Sequence, residues 1–185
     1  TTGVENTIMG GHAGDALTTG NYNIAIGTYA LSTEDTSSGN VAIGYQALRN
    51  QDNDANAFNV AIGFDAGKTL STGAQNTIIG ASAGDALTTS AGNTAVGYQS
   101  LSAQQTHGTN TAFGYRSLKV LNSSAFAFNV AVGYDAGLAI STGTNHTIIG
   151  AQAGDALTTG EGNVAVGAQA LSTETTGGKN TAIGA

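Results

Sequence analysis

The sequence predicts an all-β protein, a parallel β-solenoid or β-roll of about eleven 17–19-residue rungs. The first observation is a five-residue motif, Asn-Val-Ala-Ile-Gly at 40–44, which recurs along the chain in 17- or 19-residue steps. A fixed step is the signature of a repeat architecture, and a step this short leaves no room for a pair of helices. The second observation is the alternation of β-branched and small residues within the motif, which is typical of a strand.

The first residue of the motif predicts a structural ladder. Stacked in successive rungs, asparagine side chains can hydrogen-bond to one another and to turn backbone. The copy that begins with His146 fits the same row, because histidine also carries a donor and an acceptor. We expect a structural role, in preference to ligand binding, for Asn6, Asn23, Asn40, Asn59, Asn76, Asn93, Asn110, Asn129, Asn163 and Asn180.

The remainder of each rung supplies the core and the turns. In one form of the rung a small residue precedes a leucine, as at Leu48, and in the other Ala-Gly is followed by an aliphatic residue, as at Leu70. Serine, threonine and glycine then close the rung. The pattern predicts a two-strand coil stacked into a rod roughly 50 Å long. The alanine row of the motif, which includes Ala42 and Ala61, would let a neighbouring coil approach closely.

A longer period of four rungs, a 70-residue super-repeat, lies over the first: the segment 13–19 returns at 83–89 and at 153–159. We expect residues 1–185 to form a single solenoid domain. Because neither end carries the polar cap that solenoids usually need, we expect it to be a segment of a longer fibre.

The composition excludes several classes of function. A net charge of −7 with 9% charged residues provides no basic stripe for a nucleic acid. The chain has no cysteine for a disulfide or a thiolate, and its apolar runs are too short for membrane insertion. Because each rung buries few large side chains, the coil needs an additional source of stability. Without a disulfide or an evident metal site, oligomerisation is the source that remains.

The repeated pattern Asn-[Thr/Val]-Ala-[Ile/Val]-Gly-x-x-Ala resembles the head repeats of trimeric autotransporter adhesins and the related repeats of bacteriophage tail fibres. The resemblance covers residues 6–185. It implies a homotrimer in which three parallel β-rolls pack into an extracellular rod, displayed on a bacterial cell surface or a virion. The rungs are longer here than in the adhesin heads, and the neck, stalk and anchor of that family are not among these residues.

The search for chemistry predicts no enzyme, because no polar cluster stands outside the repeat. The three histidines occupy different places in the rung and predict no metal site. A row of carboxylates leaves calcium as a weak hypothesis beside the plainer one of solvated loop residues, since each supplies one ligand per site. Its members are Asp15, Asp85 and Asp155.

The two 19-residue rungs carry the departures from the repeat, in the segments 49–58 and 119–128. Inserted loops often form the binding surface of a solenoid, so we expect a host-surface glycan or receptor to bind here. Phe58 and Phe128, which end the segments, are expected to pack against the coil. The candidate binding residues are Arg49, Asn50, Gln51, Asp52, Asn53, Lys119, Asn122 and Ser123.

These observations favour a structural segment of a trimeric surface fibre, which either holds a recognition tip or itself adheres to a host surface. Two alternatives stay open. The Thr-Thr pairs at 18–19, 88–89 and 158–159 suggest a monomeric solenoid that binds ice or another lattice. The absence of polar caps suggests an extracellular filament that assembles end to end.

Overall fold

The structure is a computed structural model, and it describes residues 2–185. Each rung contributes one three-residue strand, and the eleven strands pair in parallel and in chain order within a single sheet. Among residues 2–185, no helix is long and apolar enough to cross a membrane. The strands are β1 (Thr7–Met9), β2 (Ile24–Ile26), β3 (Val41–Ile43), β4 (Val60–Ile62), β5 (Thr77–Ile79), β6 (Thr94–Val96), β7 (Thr111–Phe113), β8 (Val130–Val132), β9 (Thr147–Ile149), β10 (Val164–Val166) and β11 (Thr181–Ile183).

The predicted all-β parallel solenoid is confirmed, but the prediction of two strands in each rung is wrong. The second half of the rung is a series of turns whose backbone groups bond to the same place in the next rung. The N–H of Leu48 donates to the carbonyl of Ala66 at 3.1 Å, and the N–H of Asp52 donates to Ser71 at 2.9 Å. Backbone hydrogen bonds therefore run along the rod on the turn side as well as within the sheet.

The turns place the backbone in the left-handed region at three positions of a typical rung. In the third rung these residues are Gln46, Leu48 and Phe58, with φ of 56°, 48° and 51°. The glycine that ends the strand has a stricter requirement. Gly44 has a φ of 132°, and a Cβ on it would overlap the backbone of Gly63 in the next rung. Only glycine fits a column where successive backbones pass this closely.

The core lies between the sheet and the turns. The central residues of the interior strands are fully buried: Ala25, Ala42, Ala61, Ile78, Ala95, Ala112, Ala131, Ile148 and Ala165. The alanine row therefore faces the inside of the coil, and the prediction that it meets a neighbouring coil is wrong. The physical reason is room, because beside a leucine of the turn the narrow interior accepts only a methyl group. Ile78 and Ile148 fit where the turn of the rung has a glycine, Gly84 or Gly154, in place of that leucine.

Large aliphatic side chains enter the core from two backbone positions, as predicted. Leu48 reaches the core from a left-handed position of the turn, whereas the next rung has Gly67 there and fills the space from Leu70, three residues later. A Cβ on Gly67 would lie 3.2 Å from Cδ2 of Leu48 and 2.9 Å from Cδ1 of Ile78. The glycine therefore leaves room for side chains of the neighbouring rungs.

The asparagines form a hydrogen-bonded row inside the coil. The Oδ1 of each asparagine accepts the backbone N–H of the next one along the chain. Asn93 N–H donates to Oδ1 of Asn76 at 3.0 Å, and Asn110 N–H donates to Oδ1 of Asn93 at 3.1 Å. The side-chain amide closes its own rung, as Asn76 does on the carbonyl of Ser90 at 2.9 Å. The row links Asn6, Asn23, Asn40, Asn59, Asn76, Asn93, Asn110 and Asn129, and then, beyond His146, Asn163 and Asn180.

His146 continues the row with its ring. Its backbone N–H donates to Oδ1 of Asn129 at 2.9 Å, and its Nδ1 accepts the N–H of Asn163 at 3.1 Å. The second bond needs the lone pair of Nδ1 and therefore requires the neutral tautomer with the proton on Nε2. Burial lowers the pKa of His146, while the backbone of Gly160 and the charge of Glu161 oppose the shift.

Replacing Asn93→Ala tests the ladder. The change leaves the buried N–H of Asn110 without its acceptor, and an orphaned buried donor costs about 1–3 kcal/mol. We expect the denaturant midpoint of unfolding to fall accordingly. Asn180→Ala, in the partly buried last rung, should have a smaller effect. Equal losses of stability at both positions would contradict a stabilising role for the hydrogen bonds of the interior ladder.

Replacing His146→Asn tests the neutral ring. Because the pKa of His146 is lower in the folded chain than its ordinary 6.5, the stability it contributes is fully present above pH 6.5. That contribution is lost as the pH falls from there through the folded pKa. We expect the free energy of unfolding, measured by denaturant titration, to decline less steeply between pH 7 and 5 in the variant than in the wild type. Parallel curves would rule out this role.

Candidate interaction surfaces

The outer face of the sheet, which we define as the first and third residues of β1 to β11, points away from the core. No residue of these two rows is charged. Most of them keep part of their surface accessible, and Val130 and Phe113 are 37% and 53% exposed. At the usual strand spacing the two rows cover about 50 Å by about 10 Å. The outer face is therefore a long, uncharged surface of mostly β-branched side chains.

Aromatic side chains border the outer face on the side where the strands end. Tyr45 stacks on Phe64 with ring centroids 5.1 Å apart, and Tyr98, Tyr115 and Tyr134 form a continuous stack at 5.3 Å per step. All five rings are more than 40% exposed. Because their faces meet each other, these rings extend the apolar border of the outer face and leave few free ring faces for a ligand.

The opposite border is formed by the residues that precede ladder asparagines. Tyr22, Phe58 and Phe128 occupy this position. The ring of Phe58 covers Gly39 of the preceding rung, where a Cβ would lie 2.7 Å from the ring. Phe58 and Phe128 nevertheless remain 56% exposed, so the predicted packing against the coil is only partial. The left-handed backbone at this position directs the side chain outward.

An ion pair between neighbouring rungs supports the tyrosine stack. Nε of Arg116 donates to Oδ1 of Asp135 at 2.8 Å, and Nη2 donates to the other carboxylate oxygen. The guanidinium also lies 5.2 Å from the ring centroid of Tyr115. The hydrogen bonds to Asp135 raise the pKa of Arg116, so the group stays charged at every pH of interest. This arrangement joins the two neighbouring rungs that carry Tyr115 and Tyr134.

The extra residues of the two 19-residue rungs are confined to 54–56 and 124–126. Up to Asp52 and Asn122 the backbone bonds to the next rung as in the shorter rungs, and the pattern resumes at Ala57 and Ala127. The insertions are therefore three-residue bulges that replace a single turn residue.

All eight candidate binding residues precede the bulges, and three of them lie at some distance from a bulge. Arg49, Asn50 and Lys119 belong to turns that are shared by all the rungs. The guanidinium of Arg49 is 5.3 Å from the ring centroid of Tyr29 on the neighbouring rung. These three residues line the side of the rod and are not part of either bulge.

The other five candidates divide by burial. Gln51 and Ser123 are 0% and 4% exposed, which removes them from any accessible binding surface. Gln51 accepts a hydrogen bond from the ladder asparagine of the next rung at 2.8 Å. Asn53 is half-buried, and its amide donates to a carbonyl of the next rung at 2.8 Å. Asp52 and Asn122 are exposed and are the candidates best placed to meet a ligand.

A cluster of carboxylates that the sequence reasoning missed lies beside the first bulge. Oxygen atoms of Glu34, Asp35 and Asp52 lie within 4.8 Å of one another. Glu34 is fully buried, and burial raises its pKa. It accepts backbone N–H groups of Ser37 at 2.7 Å and of Asn53 at 3.3 Å. Glu34 thus joins the two rungs at the bulge, and its oxygens are occupied by backbone donors.

The three calcium candidates do not come together. Asp15, Asp85 and Asp155 are separated by four rungs, or roughly 19 Å. Asp15 lies 3.2 Å from Nδ1 of the exposed His12. Burial and the nearby charge of Asp65 raise the pKa of Asp85. Each of the three therefore supplies one carboxylate at its own turn, and the three do not form a shared ligand set for calcium.

The Thr-Thr pairs offer half of the array that a lattice binder needs. The first threonine of each pair uses its hydroxyl to donate a hydrogen bond to a carbonyl of the next rung. The distances are 3.0 Å for Thr18, 3.0 Å for Thr88 and 2.8 Å for Thr158. The second threonine of each pair is exposed.

A cavity of about 180 Å³ at the first rung is lined by Ile8, Leu17 and neighbouring small residues without a titratable side chain.

No protein-family model matches this chain, and no curated protein or solved structure matches it either. The structure itself supports a β-solenoid repeat protein. The functional argument therefore rests on the surfaces described above.

Replacing Glu34→Gln tests the role of the buried carboxylate. The second block already has a glutamine at the corresponding position, where Oε1 of Gln104 accepts the N–H of Ser123 at 3.3 Å. The pKa of Glu34 is raised above its ordinary 4.5. Its contribution to stability is therefore full below pH 4.5 and is lost as the pH rises through the folded pKa. We expect the difference in unfolding free energy between variant and wild type to grow in favour of the variant from pH 4 to 7. A difference that is independent of pH would contradict this assignment.

Proposed function

We propose that this chain is a structural segment of a trimeric fibre displayed on a bacterial cell surface or a virion, with three coils joined through their outer faces. The observation that carries the proposal is the outer face itself, which is continuous and uncharged over all eleven strands. The third residue of every strand is apolar, and the first is threonine in six strands and valine or isoleucine in the other five. The function is mechanical and needs no catalytic group.

The size of this face supports burial against other copies. Monomers rarely expose a contiguous apolar patch larger than a few hundred Å². With its tyrosine border the face is about 15 Å wide, or roughly 750 Å², and a stable interface buries about 800 Å² per partner. The surface also repeats regularly along the rod, so that a second copy with the same repeat can meet it in register.

The number of chains comes from the resemblance of the motif. The pattern at 40–47 and its copies are similar to head repeats in which three rolls surround one axis. In the present coil the alanine of the motif fills the interior, and Val41 and Ile43 face outward. The same motif thus provides a narrow core for each chain and an apolar contact surface between chains.

Light scattering after size exclusion tests the assembly. We expect a mass of about three chains, and we expect Ile79→Lys combined with Val96→Lys to lower it, because two lysines on each chain would have to be buried. Thr89→Lys, on an exposed turn, is the matched control and should keep the wild-type mass. A folded wild-type monomer would overturn the trimer, and an unchanged mass in the double variant would overturn the interface.

A further inference from the structure

The bulges of the two 19-residue rungs have the same backbone pattern and different chemistry. In the first block the region around the bulge is acidic, whereas residues 103–128 of the second block contain no acidic side chain. Every one of the four carboxylates is replaced by a neutral polar group one super-repeat later. Glu34, Asp35, Asp52 and Asp54 correspond to Gln104, Gln105, Asn122 and Ser124.

The second block also has two additional aromatic rings, one in the bulge and one on the preceding rung. His107 stands where the first block has Ser37, and Phe126 stands where it has Asn56. Phe126 meets His107 edge-to-face, with ring centroids 5.7 Å apart, and it stacks on Phe128 at 6.1 Å. Phe126 and Phe128 are 58% and 56% exposed. The three rings form one aromatic cluster on the surface of the rod.

The fold does not require this cluster. The first block builds the same bulge with Ser37 and Asn56, and Oγ of Ser37 accepts the N–H of Ala57 at 3.1 Å. The backbone bonds that resume after the bulge are the same in both blocks, at Ala57 and Ala127. Exposed aromatic rings that add little to the core indicate a contact with another molecule.

The groups around the cluster define what it can bind. Oγ1 of Thr106 lies 2.9 Å from Nδ1 of His107, which leaves Nε2 of that ring for a ligand. Gln105 and Asn122 lie two and four residues from His107 and Phe126 in the sequence, and their side chains are exposed. Each amide offers two donors and an acceptor. Without a nearby carboxylate, the site suits a neutral partner that has both an apolar face and several hydroxyl groups.

We propose that His107, Phe126 and Phe128 form a carbohydrate-binding patch. The apolar face of a neutral pyranose lies against the exposed rings, and its hydroxyls bond to Nε2 of His107 and to the amides of Gln105 and Asn122. The proposal deepens the role of a surface fibre and rests on that function for its purpose. The patch is complete within one chain, so it can be tested whatever the number of chains.

The test is a glycan array of neutral mono- and oligosaccharides probed with the full chain, followed by calorimetric titration of the methyl glycoside of the sugar that binds. The paired change His107→Ser with Phe126→Asn gives the second bulge the residues of the first, and it should fold as the wild type does. We expect it to weaken binding at least tenfold. Phe58→Ala, which removes an equally exposed ring at the position of the first block that corresponds to Phe128, should bind as the wild type does.

The reciprocal exchange adds a gain of function. Ser37→His and Asn56→Phe, together with Glu34→Gln, Asp35→Gln, Asp52→Asn and Asp54→Ser, should raise the number of calorimetric sites per chain from one to two.

A wild type that binds none of the glycans, or a paired variant that binds them equally well, would overturn the patch. So would a paired variant with an altered mass in light scattering, because the cluster would then contact another copy of the chain. A monomer that binds the glycan would overturn the trimer and leave the patch standing.

Discussion

The structure depends on one constraint, the close approach of each rung to the next along the rod. Parallel backbone hydrogen bonds set the spacing, and the column of strand-ending glycines permits it, since a side chain at Gly44 would overlap Gly63. Inside the coil the same spacing allows one asparagine to accept the N–H of the next. A rung that departed from the spacing would lose all of these contacts together, which explains why the motif varies so little.

The same constraint separates the molecule into two kinds of surface. The interior is narrow, so it holds alanine and one or two larger aliphatic residues per rung. The larger apolar residues at the first and third positions of the strands therefore lie on the outer face. The turns, in contrast, tolerate change as long as their backbone bonds are kept. The bulges at 54–56 and 124–126 show this tolerance, because the bonding pattern resumes unchanged after each of them.

Much of the fold could be predicted from the regular step and from the alternation within the motif, and the asparagine spacing indicated a row of stacked side chains. The direction of the alternation could not be predicted, because a strand pattern is symmetrical until the packing of residues such as Leu48 decides which face is inside. The turns of the second half were misread as a strand, since left-handed residues such as Gln46 and Leu48 carry no sequence signal for that conformation.

The candidate site was harder to predict for a related reason. Burial of Gln51 and contact between Glu34 and Asp52 arise between rungs, where residues distant in sequence lie side by side. Alignment of one four-rung block on the next could have revealed the exchange of acidic for neutral and aromatic groups. That comparison treats one half of the chain as the control for the other.

The strands lie across the rod and their hydrogen bonds lie along it, with the first strand at one end and the last at the other. Tension between the two ends of such a rod would load the rungs in series, so the weakest junction would open before the others. Each rung that opened would release roughly 60 Å of chain. A single coil would therefore behave as a stepwise extensible spring, and lateral packing against other coils is what would make it stiff.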